Sequence, residues 1–332
     1  MNIREIARLA DVTPGTVSKV LNNYSDVGEA TRKHVLEIIE EYRYEPKTPS
    51  RRKGKDVPKI GLVTEGVYNP LYSHMEDMLS ILIHNSGYLV SGFHDNYHSQ
   101  DKTEKLTEMI RMFEKEKLSG LFYIGGNFSS VSRDVFQQLP CPTVFINTVL
   151  PEQADELLYS SVQVSHFQTA FNQMKYLLDQ GHEHICAVIS SLIDNSVYGV
   201  RAQAYRTALQ LAGNSAHWFI ETDYQYQKTY EGVKAHFLAH PETTAVCCAS
   251  DTMAPAVLRA LRDLDISPEN VKTLSFDGLE SAAYCVPSVT TFAQPINDMV
   301  KYSAQLMKGL IAKEQNHQHI TFQPLLMRRE SC

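Results

Sequence analysis

No stretch of this 332-residue chain approaches the roughly 18 to 20 consecutive apolar residues of a membrane-crossing helix, and its N-terminus lacks the apolar core of a signal peptide. Both absences point to a cytoplasmic protein with no membrane partner. There is also no GxGxxG turn, no P-loop, no GxSxG elbow and no HExxH helix. A nucleotide-dependent enzyme or a hydrolase would have to work without its usual signature, so no catalytic residue and no cofactor is expected. Acid pairs such as Asp263 with Asp265, or Glu40 with Glu41, fall on polar helix faces or ends, where solvation explains them. Cysteine is sparse: Cys141, Cys186, Cys247, Cys248, Cys285 and Cys332, with no CxxC pair. Most sit in apolar strand-like runs, as buried free thiols do in a reducing compartment, rather than in disulfides or a metal site. His182 with His184, and His317 with His319, lack a third ligand. No metal is expected, and Gly181-His182 reads as a helix stop.

What is present suggests two or three domains, with an ordinary soluble hydrophobic content of 43%. The net charge of −7 is unevenly spread. Residues 1–56 carry eleven Lys/Arg against nine Asp/Glu, and the remainder twenty against twenty-nine. Positive charge peaks at Lys47, Arg51, Arg52, Lys53 and Lys55, in a stretch with proline, serine and glycine. Residues 47–58 therefore read as a basic hinge or linker, either simply solvated or in contact with phosphates.

Residues 1–46 read as a three-helix head. Asn2 followed by Glu5 resembles a capping box, and Ile3, Ile6, Ala7 and Ala10 repeat at helical spacing. After a turn at Asp11-Val12-Thr13, the Thr13 hydroxyl can cap a second helix with Pro14 at its first position, where a missing N–H costs nothing. Val17, Val20 and Leu21 would face the first helix, leaving Gly15, Thr16, Ser18, Lys19 and Asn22 outward. A third helix, Glu29 to Tyr42, would close the core with Val35, Ile38, Ile39 and Tyr42. A helical cap on an enzyme is the plain alternative. The cap, the tight turn and the small polar residues at an exposed helix start together favour insertion into a DNA major groove.

From Lys59 onward apolar runs alternate with helical patterns: Ile60 to Thr64, Tyr88 to Phe93, Gly120 to Ile124, Thr143 to Asn147, Ile185 to Ile189, Val246 to Ala249 and Val271 to Phe276. Continuous apolar strands joined by helices imply parallel sheets covered on both faces, and two such sets imply two doubly wound subdomains, with a break near Leu158 to Ser165. Ligands of such sheets bind beyond the carboxyl ends of the strands. The residues there include Tyr68, Tyr72, Asn147, Arg201, Ser250 and Asp277, with Tyr224 added as a further aromatic. Tyrosines can lie against a sugar ring, and Asn147, Arg201 and Asp277 can take hydroxyls. Plain alternatives are a structural salt bridge for Arg201, a turn or helix cap for Asp277, and packing for each tyrosine.

The segments Ile6-Ala7 to Val12-Thr13 and Thr16 to Asn22, with Thr31-Arg32 and Tyr44-Glu45-Pro46, resemble the signature of the LacI/GalR family of bacterial transcriptional regulators. The similarity covers essentially the whole chain. It implies an all-α helix-turn-helix head joined to an α/β core of two doubly wound parallel-sheet subdomains, like periplasmic binding proteins. The core would span 59–330, with one subdomain at about 59–160 plus 293–320 and the other at about 161–292 plus 321–330. By resemblance Thr13, Thr16, Ser18, Asn22 and Thr31 hold phosphates, Pro14, Gly15 and Lys19 occupy base-reading positions, and Arg201 and Asp277 clamp sugar hydroxyls. Asn147 and Ser250 stand where a well-known member has aspartate and asparagine. Pro49, Gly54 and Lys53 replace the family's usual Ala-rich hinge helix and its wedge leucine, which favours a basic strap with Arg51, Arg52 and Lys53 on DNA.

The implied function is a homodimeric repressor of a carbohydrate-use operon, binding pseudo-palindromic operator DNA under control of a small sugar-like effector. The chain ends soon after a strand-like run, Leu325 to Arg329, so no tetramer-forming heptad helix is expected. The alternatives are a stand-alone sugar-binding protein of the periplasmic type, a regulator responding to a purine, nucleoside or phosphorylated metabolite, and a metabolic enzyme on the same fold.

Overall fold

A computed structural model describes residues 3–21, 27–42, 57–65, 69–94, 101–151, 158–190, 197–213 and 217–332, in two compact units that divide after Val57. In the first unit, α1 (Ile3–Leu9), α2 (Pro14–Leu21) and α3 (Glu29–Glu41) enclose Ile6, Ala7, Ala10, Val17, Val20, Val35 and Ile38. The turn between α1 and α2 forms because Asp11 takes a left-handed conformation (φ 52°), which lets the Val12 N–H reach back to the Ala7 carbonyl at 2.9 Å. Thr13 then caps α2, its Oγ1 accepting from the Thr16 N–H at 3.1 Å. Tyr42 departs from expectation. It lies just past the end of α3 and is 43% exposed, so the third helix contributes Val35, Ile38 and Ile39 to this core but not Tyr42.

The second unit holds two six-stranded sheets. The first contains β1 (Lys59–Thr64), β2 (Leu89–His94), β3 (Gly120–Ile124), β4 (Thr143–Ile146), β5 (Ser160–Val164) and β11 (His319–Phe322), in the spatial order β11-β5-β4-β3-β1-β2. All its pairings are parallel. The second contains β6 (Ile185–Ile189), β7 (His217–Glu221), β8 (Ala245–Cys248), β9 (Lys272–Asp277), β10 (Thr290–Ala293) and β12 (Leu325–Met327), ordered β12-β10-β9-β8-β6-β7. Here β12 runs antiparallel to β10, an exception to the all-parallel expectation.

Both faces of each sheet are covered, which is why the central strands read as unbroken apolar runs. Alternate residues of β1 and β3 enter different cores: Ile60, Leu62, Phe122 and Ile124 pack with α4 (Pro70–Asn85) and α12 (Ile296–Ala312), whereas Val63, Leu121 and Tyr123 pack with α5 (Lys102–Glu116). In the second sheet Ile185, Ala187 and Ile189 face α7 (His166–Asp179) and α8 (Val197–Leu211), and Val188, Val246 and Cys248 face α9 (Tyr226–Ala239) and α10 (Ala254–Asp263). Cys186, Cys247 and Cys248 are buried free thiols, and the other three cysteines are half-buried. Among the described residues no helix is long and apolar enough to cross a membrane, and no group of three or more His, Cys, Asp or Glu is placed to hold a metal.

The chain crosses between sheets three times: after β5, after β10 and after β11. These positions correct the sequence-based boundaries. Residues 161–164 and 321–322 belong to the first sheet, where Thr321 pairs with Gln163 and Phe322 with Val164, and Ala293 belongs to the second, opposite Asp277. The shift has a physical cause. β5 starts with Ser160 and Ser161, whose hydroxyls bond His317 Nδ1 (3.0 Å) and His319 Nδ1 (2.8 Å), so it is a buried strand without an apolar signature.

Candidate functional site

On the head, Thr13, Pro14, Gly15 and Lys19 are exposed, and Thr16 and Thr31 are half-buried. The Thr13 and Thr16 hydroxyls lie 2.9 Å apart at the α2 start. Gly15 leaves that start bare, although a Cβ there would make only ordinary contact with the Thr13 hydroxyl, at 3.6 Å. This helix end, with no acidic residue in its first turn and Lys19 in its last, presents backbone N–H groups and small polar side chains together. Ser18 lies on α2, but its side chain is outside the described residues, as are Asn22, Arg51, Arg52 and Lys53 entirely.

In the core, the carboxyl ends of β4 and β9 converge with the first turns of α4 and α8. Asn147, just past β4, is fully buried at φ 49°, and Asp277, the last residue of β9, is fully buried at φ 113°. Left-handed non-glycine residues at two strand ends are strained positions that the surrounding structure must hold. Gly278 follows Asp277 at φ 82°, and a Cβ there would stand 2.5 Å from that of Ala293. The β9 exit therefore passes β10 too closely for any side chain.

Asp277 is the centre of a buried polar network. Its Oδ1 pairs with the Arg201 guanidinium at 3.0 Å and accepts from Gln294 Nε2 at 2.8 Å. Its Oδ2 accepts from Ser250 Oγ at 2.7 Å and Asn69 Nδ2 at 3.2 Å. Arg201 also donates to the Ala249 carbonyl (2.5 Å) and, through Nε, to His166 Nδ1 (3.4 Å), and it lies 3.7 Å over the Phe276 ring. Burial alone would lower its pKa. The Asp277 carboxylate, together with the phenols of Tyr198, Tyr224 and Tyr205, outweighs that and holds the guanidinium charged. Burial, followed by the neighbouring Arg201, holds His166 well below the usual histidine pKa, so its ring is neutral and accepts. His166 Nε2 is then a buried donor without a hydrogen-bond partner among the described residues.

Asn147 joins this network through Gln294, donating to its Oε1 at 2.9 Å, while its own Oδ1 accepts from the Val164 N–H at 3.2 Å. Tyr72 is buried, and burial followed by the adjacent Tyr198 pushes its pKa well above the ordinary value. The Tyr198 hydroxyl is pushed up to about 12 by burial and then by Asp277. Tyr224 packs edge-on against Tyr198, ring centroids 4.6 Å apart. Of the core candidates, Asn147, Arg201, Ser250 and Asp277 share one hydrogen-bonded network, with Tyr72 and Tyr224 against it through Tyr198. Tyr68 lies outside the described residues.

Four participants were not singled out from the sequence: Asn69 and Tyr198, which fall within the post-strand segments 65–72 and 190–201 expected to line a site, and Gln294 and His166, which fall outside any such segment. Tyr198 stands three residues before Arg201, on the same helical face, and Asn69-Pro70 is a helix-start pair, so both carried a signal. Gln294 and His166 follow β10 and β5, two strands without an apolar run, and carried none.

A model of bacterial regulatory proteins of the lacI family matches residues 2–47, and a periplasmic binding protein-like domain matches residues 174–332. The HTH-type transcriptional regulator MalR of Clostridium butyricum is 30% identical, over 100% of this chain and 99% of its own length. Among solved structures, a CelR–cellobiose complex superposes with a TM-score of 0.66 at 23% identity over the full length of both chains. A Lac repressor dimer bound to operator and the anti-inducer ONPF superposes at 0.70 and 19% identity, covering 100% of this chain and 98% of that one.

Proposed function

The chain belongs to the LacI family of bacterial regulatory proteins, and from that premise we propose that it is a homodimeric repressor whose core cleft takes a neutral, polyhydroxylated effector, a sugar, to control a carbohydrate-use operon. The observation that carries the effector class is the charge balance of the cleft. Its guanidinium, Arg201, is spent on Asp277, and the remaining named groups are amides, hydroxyls and a neutral imidazole. Alternating donors and acceptors suit hydroxyls. A phosphorylated metabolite needs an unmatched cation, and the described site residues supply none. The buried His166 Nε2 is a further donor for a sugar oxygen. Cellobiose in the CelR complex is a ligand of this chemical kind.

Two heads are needed because one covers too few base pairs, and a pair one helical turn apart reads a pseudo-palindrome. The exposed start of α2 enters the major groove with Lys19 as its long polar reader, while Thr13, Thr16 and Thr31 position it on phosphates. Residues 47–58 act as a basic strap. The protein works in the cytoplasm as a binding protein rather than an enzyme. Competition binding at fixed salt tests the DNA half: Lys19→Ala should cost about 1 to 3 kcal/mol per half-site and narrow the gap between operator and random DNA. Equal weakening on both DNAs removes Lys19 as a base reader.

A further inference from the structure

The Asp277 carboxylate is saturated. Two carboxylate oxygens offer about four acceptor positions, and Arg201, Gln294, Ser250 and Asn69 occupy all four. Three of these donors come from the second sheet's side or from the crossing strand that leaves it. The fourth, Asn69, comes from the opposite half, at the start of α4 beneath the first sheet, and makes the longest of the four contacts at 3.2 Å. The same Asn69 amide nitrogen donates to the Tyr198 hydroxyl on α8 at 2.9 Å. Its other end is fixed, because Oδ1 accepts from the Leu71 N–H at 2.9 Å and caps α4. The side chain is 3% exposed and spans the cleft as a rigid bracket between a helix start in one half and two polar groups in the other.

We infer that Asn69 is a clamp between the two halves of the core, beside the Asn147–Gln294 contact, and that it occupies the place on Asp277 and Tyr198 that a sugar hydroxyl must take. The consequence for regulation rests on the reading of this cleft as the effector site. A hydroxyl donating to Asp277 has to displace a donor, and the weakest-held one is the cross-cleft amide. Effector entry and inter-domain contact are then one exchange rather than two linked events. Loss of the Arg201 or Ser250 contact would leave both cross-cleft amides in place, whereas loss of the Asn69 contact leaves only Asn147 on Gln294 to hold the closure.

Hydrogen–deuterium exchange on the full-length chain tests the clamp without any ligand. Asn69→Ser and Asn69→Asp both retain an oxygen that caps α4, and neither can donate an amide to Asp277. Peptides covering residues 276–296 and 145–150 should exchange about tenfold faster in Asn69→Ser, the equivalent of one hydrogen bond to a charged group. They should exchange faster still in Asn69→Asp, where a second carboxylate faces Asp277, with α9 unchanged in both. Acceleration confined to α4, or none, would reduce Asn69 to a helix cap and overturn the clamp. The effector reading fails by a different observation, sugar binding that survives Arg201→Ala, so the two outcomes are separable.

Discussion

The second sheet presents a guanidinium, a carboxylate and two hydroxyls to the cleft, from Arg201, Asp277, Tyr198 and Ser250, whereas the first presents two amides and a phenol, from Asn69, Asn147 and Tyr72. The difference separates two roles. A buried ion pair within one half is costly to break and holds its geometry whether or not the halves are together. Neutral amides that reach across are each worth about 1 kcal/mol net, which suits contacts that must form and release. The two halves are thereby written in different chemistry, a fixed ion pair in one and exchangeable amides in the other. Coupling of about 1 to 3 kcal/mol between effector and operator sites is enough to change operator affinity by about 5- to 150-fold.

The largest effect should come from breaking the charged half. Asp277→Ala leaves the Arg201 guanidinium buried without its counter-charge and should destabilise the core by about 3 to 5 kcal/mol in urea unfolding. Asn147→Ala, in the amide half, removes one hydrogen bond to Gln294 and one from the Val164 N–H and should cost about 1 to 3 kcal/mol. Equal costs for the two substitutions would dissolve the distinction.

Acid should act on the halves in different windows. In the second half, burial and then the neighbouring His240 hold His236 at about 4, below its ordinary value of 6.5. The unfolded chain binds this proton first, so the stability that neutral His236 contributes is present above pH 6.5 and is lost as pH falls toward 4. In the first half, burial would raise Glu65, but Lys105, Lys102 and Tyr123 together hold it below 4.5. Its contribution persists until pH falls below that value. His236→Gln should therefore flatten the decline in unfolding midpoint between pH 6.5 and 4 and leave the decline below it, a smaller effect than either substitution above. An unchanged slope would show that His236 protonates freely in the folded state.

Strands β3 and β6 are legible in the sequence to the residue, because both faces are covered and neither strand carries a charged residue or a short polar one. β5 and β10 are not. Thr290 and Thr291 are fully buried, yet their hydroxyls bond the Cys332 carbonyl at 3.0 Å and the Asp251 carboxylate at 2.8 Å, partners that only the tertiary fold supplies. Polar residues satisfied at long range leave no local periodicity. The same holds at the site. Arg201 and Asp277 announce themselves as charges near strand ends and by their resemblance to a family pattern. Asn69 is marked only as a helix cap and Gln294 not at all, since neither charge nor spacing marks an amide that bridges two halves. The head was the most legible part, since its helices are amphipathic and the Thr13 cap of α2 is local; among its described residues Tyr42 departs from the pattern, just beyond the end of α3.

On the reading proposed above, the cleft takes a neutral polyhydroxyl compound gripped by the charged half. Thermal unfolding of the full-length chain with matched probes tests it most directly: cellobiose, lactose and ribose, the phosphate esters of ribose and glucose, and purine nucleosides. At a concentration 100 times Kd, a bound ligand stabilises by about 2.7 kcal/mol, a readily measured shift in Tm. A neutral sugar should raise Tm in the wild-type chain, its phosphate ester should not, and Arg201→Ala should abolish the shift. Stabilisation by the phosphorylated compounds or nucleosides alone, or a sugar-induced shift that survives Arg201→Ala, would contradict it.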